Sequence, residues 1–366
     1  MIIIGAGPAG SATAITTARL GLKVLLVDAK KFPRRKACGG CLNRVSVKFV
    51  EQLLPESVLK KLWADSISLK KFRVFHHQHD FPIEMNNGGF AVDRLQLDHL
   101  LVQQAENLGV TFLSPATAKL GDYHPDHRNV DLVVDGISQT HQTKAVVIAS
   151  GLGNRAAGSH ERFQQRFAKN SRVGVEAVFE EFPASYRSGV LSMAIGSHGY
   201  VGLTHIGQRR LHVAAAVDRS ALQNLSPHAA VESLMLQSGA PILTQTDVAW
   251  KGTPALTASV DSIAENRVFL VGDAAGYVEP FTGEGIRWAL ESGMGVAPFV
   301  ASAVDHWNQQ VAEDYQQWYR QTIYTQQKLC RRLSAGLKRP AIRWAAHQAL
   351  RLRPSLADSI IKRLNS

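Results

Sequence analysis

Cysteine is scarce in this 366-residue chain: Cys38, Cys41 and Cys330 are all there is. Three thiols cannot form a disulfide framework, and they point to a reducing, cytoplasmic setting. Long apolar runs are also missing. No uncharged apolar run reaches the ~18 residues of a membrane-spanning helix. No internal repeat or low-complexity tract is present. Cys38-Gly39-Gly40-Cys41 lacks the second pair that a zinc site needs. His76, His77 and His79 fall in a strand–turn region without paired acids and read as surface residues, so no metal is expected. Acids nearly vanish from the tail. Residues 320–366 hold eleven Lys and Arg against Asp358 alone, which places +10 of the chain's +11 there. Leucines, isoleucines and Trp344 are interleaved with these cations. Two readings of the tail stand: adsorption of 320–366 to an anionic membrane surface, or a solvated helix pair packed on the body. No recognised nucleic-acid-binding fold accompanies the charge, so nucleic acid is not an expected partner.

Apolar residues make up 45 % of the chain, which is ample for a large core. The start is the most informative stretch. Met1-Ile2-Ile3-Ile4 suits a buried parallel strand, and Gly5-Ala6-Gly7-Pro8-Ala9-Gly10 follows at once. Gly5 permits a tight turn, Gly7 lets backbone approach a pyrophosphate, and Gly10 allows close helix–strand packing. Residues 11–20 read as a helix whose N-terminus would face the phosphates. Residues 22–27 form a second strand ending at Asp28-Ala29. A carboxylate there accepts from ribose hydroxyls and repels a 2′-phosphate, favouring FAD or NAD over NADP. Because the first strand belongs to this fingerprint, the N-terminus is not expected to be a signal peptide.

Further along come a basic loop (30–41), helices near 45–54 and 56–63, strands with a turn over 66–86, and a helix over 93–108. Strands follow at 110–113, 130–134 and 144–149. Alternation from 173 to 250 reads as an antiparallel sheet, interrupted by a helix near 229–238. A buried strand, 267–271, leads into Gly272-Asp273, and a small-residue helix is expected over 285–303. Asp273 could hold a ribityl or ribose hydroxyl. Backbone N–H groups at 283–286 would lie at a helix N-terminus, able to stabilise negative charge on a reduced flavin. The two glycine segments together describe two walls of one FAD site. Gly151-Leu152-Gly153-Asn154-Arg155-Ala156 imitates a second fingerprint, but no apolar helix follows it. Electrons are therefore expected from transient NAD(P)H or another reductant.

These motifs resemble the FAD-dependent geranylgeranyl-reductase-like proteins, within the wider superfamily of aromatic hydroxylases and flavin halogenases. The carriers are Gly5–Gly10 with Asp28; Phe32-Pro33-Arg34 through Lys36 to Cys38-Gly39-Gly40; Asp93-Arg94 with Leu97-Asp98 and Leu101; and Gly272-Asp273 with Pro280 to Ile286. The resemblance covers residues 1 to about 300. It implies that Arg94 contacts the flavin or its phosphates, that Lys36, Cys38, Gly39 and Gly40 line the isoalloxazine, and that Cys38 is a candidate catalytic residue. Gly283, Glu284, Gly285 and Ile286 complete the expected cofactor set. Tyr200 and Phe281 are substrate-side candidates. The chain departs from the family in three places. Ser150-Gly151 with Arg155 replaces the hydroxylases' Asp-Gly and Arg, the halogenase Trp-x-Trp-x-Ile-Pro motif is missing, and Gly199-Tyr200-Val201-Gly202-Leu203 stands where the reductases often carry an aromatic-rich Phe-Pro segment.

The expected architecture is α/β (α+β overall): a glutathione-reductase-type, Rossmann-like FAD domain with an inserted antiparallel β-sheet substrate domain and a helical C-terminal tail. The expected boundaries are 1–65, 92–172 and 253–305 for FAD binding, 66–91 and 173–252 for the substrate sheet, and 306–366 for the basic helical region. The expected activity is reduction of a C=C bond in an isoprenoid or similar hydrophobic lipid, by hydride from reduced flavin. Hydroxylation of an aromatic, quinone or polyketide substrate is the alternative. A non-catalytic, FAD-binding, membrane-associated protein is the third reading. The expected location is the cytoplasm, with peripheral attachment to the inner face of the membrane if the tail binds lipid.

Overall fold

In a computed structural model the residues described are 1–85, 88–207, 209–279, 281 and 283–352. Pro280, Thr282 and the end of the basic tail therefore lie outside them. The chain builds two main sheets. The first has six strands. Ile2–Ile4 is flanked on one side by Leu25–Val27 and then Thr111–Leu113, on the other by Val146–Ile148 and then Val268–Leu270, all parallel. The short strand Ala264–Glu265 adds an antiparallel edge. Both faces of this sheet are covered, which is why its strands are runs of Ile, Val and Leu without alternation. Ile4 is in register with Val27 and Ile148, so the carboxyl ends of the central strands form one rim. Gly5, Asp28 and Ser150 emerge there, and Asp273 leaves the neighbouring strand on the same side. Open α/β sheets bind ligands at this rim.

Helix Pro8–Arg19 runs back beneath the rim, packed against helices Gly285–Gly295 and Arg94–Asn107. Its Pro8 occupies the first turn, where a missing N–H costs nothing. Gly10 is needed for contact: a Cβ there would stand 1.8 Å from the Gly5 carbonyl oxygen. The helix expected over 285–303 is two helices, Gly285–Gly295 and Ala297–Asp305, because Pro298 cannot continue the first one's hydrogen-bond ladder. Val130–Val134, read as an isolated strand, lies within Arg128–Val134, the centre of an antiparallel meander with Thr117–Tyr123 and Ile137–Thr143. The flanking strands show weak alternation, and Ile137–Thr143 is almost entirely polar and exposed.

The second sheet has seven strands, in the order Lys251–Ala255, Val173–Phe179, Arg210–Val217, Gly199–Ile206, Val190–Gly196, Lys71–His76, His79–Glu84. All pairs are antiparallel except Val190–Gly196 with Lys71–His76, where two distant stretches of chain join. The boundary expected at 252/253 falls inside strand Lys251–Ala255, which pairs with Val173–Phe179. One face buries Val175, Ala177, Phe179, Val201, Leu203 and Val213 beneath helix Pro227–Ser238. That helix is capped by the Ser226 side chain and ended by Gly239 at φ 83°. The other face looks toward the rim of the first sheet.

Beyond Asp305 the described residues are mainly helical: Gln309–Tyr319, a π-helical segment Arg320–Tyr324, Thr325–Leu337 and Pro340–Leu352. It packs on the body at its inner face, where the Tyr315 hydroxyl donates to the Leu270 carbonyl (2.7 Å). Among the described residues no helix is long and apolar enough to cross a membrane.

Candidate active site

One cavity of about 1670 Å³ extends from the rim of the first sheet across the open face of the second. Gly5, Gly7, Pro8 and Ala9 line its nucleotide end together with Asp28 and Ala29. Gly7 is the residue before the helix and has no side chain to cap it, so the first-turn N–H groups are available to an anion. A Cβ on Gly7 would meet nothing closer than Arg34 Nη2 at 3.7 Å. The space beside Gly7 is therefore cavity, not packed protein, which is what a pyrophosphate requires.

Asp28 accepts from the Ala6 N–H (2.9 Å) and the Lys30 N–H (2.9 Å), fixing its carboxylate at the strand end. Arg34 also reaches it at 3.0 Å and reaches Asp98 at 3.4 Å. Arg94 and Asp98, one turn apart on the helix that Asp93 caps, form a bidentate pair at 2.8 Å. Asp98 is fully buried. Burial opposes the charge on Arg94, but Asp98 and the adjoining Cys38 side chain outweigh it and hold the guanidinium above its ordinary value. Arg34 belongs to the cradle although the sequence reading had placed it only within a motif. Its signal in the sequence is a basic residue six positions after Asp28.

Lys36, Cys38, Gly39 and Gly40 line the middle of the cavity, opposite Asp273, Gly283, Gly285 and Ile286. Burial raises the Asp273 pKa, and Lys36 and Arg94 pull it partly back. A carboxylate facing a cavity in this setting suits a polyol hydroxyl. Gly10, Gly272 and Glu284 do not face the cavity. A Cβ on Gly272 would strike Ala9 Cβ at 2.8 Å, so this glycine serves helix packing. Glu284 accepts from Asn43 Nδ2 (2.8 Å) and pairs with Arg287 (3.3 Å), tying the helix start to the Cys41–Leu42 strand.

Cys38 is fastened from the substrate sheet. Its N–H donates to Glu176 Oε2 (2.9 Å), and His212 Nε2 meets the same oxygen at 3.0 Å. Burial works against the Glu176 carboxylate, yet the His212 hydrogen bond and the Cys38 N–H keep its pKa below the usual range. Neither Glu176 nor His212 was singled out from sequence; both sit in strands whose alternation reads as ordinary sheet. Burial, with Cys38 nearby, pushes the Cys41 thiol up to about 12, so Cys41 stays protonated and packs.

The substrate end is different. Phe72, Val74, Leu191, Met193 and Ile195 supply an apolar wall. The sheet floor beneath is cut low by Gly174, Gly202, Ala214 and Ala216, which face the cavity from neighbouring strands. Tyr200 and Phe281 both line this part, edge to face with centroids 5.0 Å apart. Burial raises the Tyr200 phenol well above its ordinary value, and Glu279 adds to this, so the hydroxyl remains a donor. His76, read as a surface residue, is buried at the far end, with its Nδ1 3.2 Å from His347 Nδ1 of the last helix. Among the described residues no cluster of His, Cys, Asp or Glu is arranged to hold a metal ion.

The FAD binding domain family matches residues 1–326, and the chain belongs to that family. It is 27 % identical over 320 residues to the menaquinone reductase of Mycobacterium tuberculosis, spanning 82 % of this chain and 76 % of that protein. It is 24 % identical over 342 residues to the digeranylgeranylglycerophospholipid reductase of Methanosarcina acetivorans, spanning 88 % and 80 %. Among solved structures, the flavin-dependent brominase Bmp2 superposes with a TM-score of 0.79 at 17 % identity, covering 100 % of this chain and 92 % of that one. A geranylgeranyl bacteriochlorophyll reductase-like protein from Thermoplasma acidophilum superposes with a TM-score of 0.75 at 18 % identity, covering 92 % and 87 %. The protein is a FAD-dependent oxidoreductase of α/β architecture.

Proposed function

We propose that the protein reduces a carbon–carbon double bond in a hydrophobic, isoprenoid-type lipid. The observation that carries this reading is the continuity of the cavity: the nucleotide cradle opens onto an apolar trough floored by Gly202, Ala214 and Ala216. The relatives named for menaquinone and digeranylgeranylglycerophospholipid reduction support it. Asp28 would hold the adenosine ribose. Gly7 and the first turn after it, with Arg34 and Arg94, would receive the phosphates, and Asp273 would hold the ribityl chain. Bound FAD supplies hydride transfer and, when reduced, reactivity toward O2. The N-terminus of helix Gly285–Gly295 faces the same space and favours negative charge there.

Lys36, Cys38, Gly39 and Gly40 form the wall between cofactor and substrate. Reduction of a C=C bond adds a proton as well as a hydride, and the Cys38 thiol, in the lining of the cavity, would provide it. Glu176 keeps the Cys38 loop in register with the substrate sheet. NAD(P)H is the proposed transient donor. Residues 151–156 form a loop and a single 3-10 turn here, not a strand–helix nucleotide site. The proposed location is the cytoplasm, against an anionic membrane surface.

Anaerobic assay with NAD(P)H and a menaquinone or a geranylgeranylated lipid tests the reading. Loss of a double bond by mass spectrometry, without O2, is expected. Product that carries oxygen and consumes O2 in step with NAD(P)H replaces the reductase by the monooxygenase. Tight FAD binding without turnover of any reductant leaves a non-catalytic flavoprotein.

A further inference from the structure

Helix Pro340–Leu352 is oriented against the usual rule. A surface helix ordinarily turns its apolar stripe inward and its charges out. Here Arg343 and His347, one turn apart, face the body and line the far end of the cavity, and His347 is 6 % exposed. The outer side carries Trp344 at 61 % exposure and Ile342 at 43 %, beside exposed Ala341 and Ala345. The preceding helix, Thr325–Leu337, also exposes Leu329, and Tyr324 lies just before it with Lys328 and Arg331 over its ring. Residues 320–352 contain eight Lys and Arg and no acid. Large exposed apolar side chains bordered by cations of one sign match the surface of a helix lying in a bilayer interface.

We infer that helix Pro340–Leu352 is an interfacial helix that seats the far end of the cavity on an anionic phospholipid leaflet, so that a lipid substrate passes from bilayer to cavity without crossing water. The inference rests on the lipid-substrate reading above for its purpose, but not for its surface. The apolar face supplies insertion, and the exposed Arg320, Lys328, Arg331, Arg332, Arg339 and Arg351 supply attraction to anionic headgroups, which weakens as salt rises. The inward Arg343 and His347 keep the helix tied to the cavity end while Trp344 faces lipid.

The test is flotation of the full-length holoprotein with phosphatidylcholine vesicles, with and without phosphatidylglycerol. The wild type is expected to float only with the anionic vesicles and to be released by salt. The exposed-site double variant Ile342→Glu/Trp344→Glu should keep its flavin and melting temperature and lose vesicle affinity by about tenfold or more. Trp344→Phe should still bind, but lose the part of tryptophan fluorescence that brominated acyl chains quench. Equal binding to neutral vesicles, undiminished flotation of the double variant, or unchanged quenching in Trp344→Phe overturns the inference. So does a wild type that ignores vesicles but is a dimer which the double variant dissolves, because the face would then cover a second copy. A colourless protein that floats would remove the catalytic reading and leave the surface; a yellow, lipid-reducing protein that never floats would do the reverse.

Discussion

The two ends of the cavity solve opposite problems. At the nucleotide end, glycine and helix geometry expose backbone N–H groups, and charged side chains are held in fixed pairs: Asp28 with Arg34, Asp98 with Arg94. At the substrate end, the sheet offers small residues and hydrocarbon, with few groups to orient a ligand. The first end is built to recognise one molecule by directional bonds. The second is built to accept a shape. Specificity for the cofactor should therefore be brittle, and specificity for the substrate gradual.

The sharpest break of that contrast is Gly7→Val. Its backbone is ordinary and its Cβ has room, so the protein should fold and show native circular dichroism, yet purify without flavin. Retained yellow colour would refute the cradle. Next is Cys38→Ala, expected to keep FAD and reduce turnover by about 100-fold, the low end for a lost acid–base group; an unchanged rate would reduce Cys38 to packing. Gly202→Val fills the trough from a position where a Cβ meets only ordinary contact. It should leave the flavin spectrum alone and raise KM for a long substrate about tenfold, the scale of a methyl-sized misfit. Glu176→Gln keeps the shape of the fastening and weakens its charge. A rate loss of about tenfold is expected, the worth of one charged hydrogen bond, with FAD affinity unchanged.

The smallest effect is at the far end. Burial, aided by His77, His347 and Arg343, lowers the His76 pKa from 6.5 to about 4. A group whose folded value is depressed below its free value is protonated preferentially when released. Docking of the last helix should thus be full above pH 6.5 and weaken as pH falls toward 4. Limited proteolysis after Lys338 or Arg339, compared at neutral and acidic pH, reads this directly. His76→Asn should flatten the dependence, and equal cleavage at both pH values in the wild type would count against it.

The same contrast governs what could be read from the chain. The rim of the first sheet was legible because its physics is local: strand, glycine turn, helix and terminal acid occur within Ile2–Asp28, and Val268–Asp273 repeats the logic. Arg34 escaped because its role depends on a loop folding back over Gly7. Glu284, a carboxylate next to a glycine segment, reads as a ligand from sequence, and its partner Asn43, 241 residues away, shows what it accepts from. The Glu176–His212 pair was invisible for a like reason: each is a polar residue in a strand, and the register that joins them to Cys38 is set by the whole sheet. His76 looked exposed because the helix that buries it comes 271 residues later. The meander around Arg128–Val134 failed to announce itself because its outer strand, Ile137–Thr143, has little to bury.

Asp98 gives the nucleotide end one further property. It is fully buried, and it neutralises Arg94 while sharing Arg34 with Asp28. A pyrophosphate bound as proposed would compete with these carboxylates for the two guanidinium groups. The cost of assembling two arginines side by side is met during folding, before any nucleotide arrives.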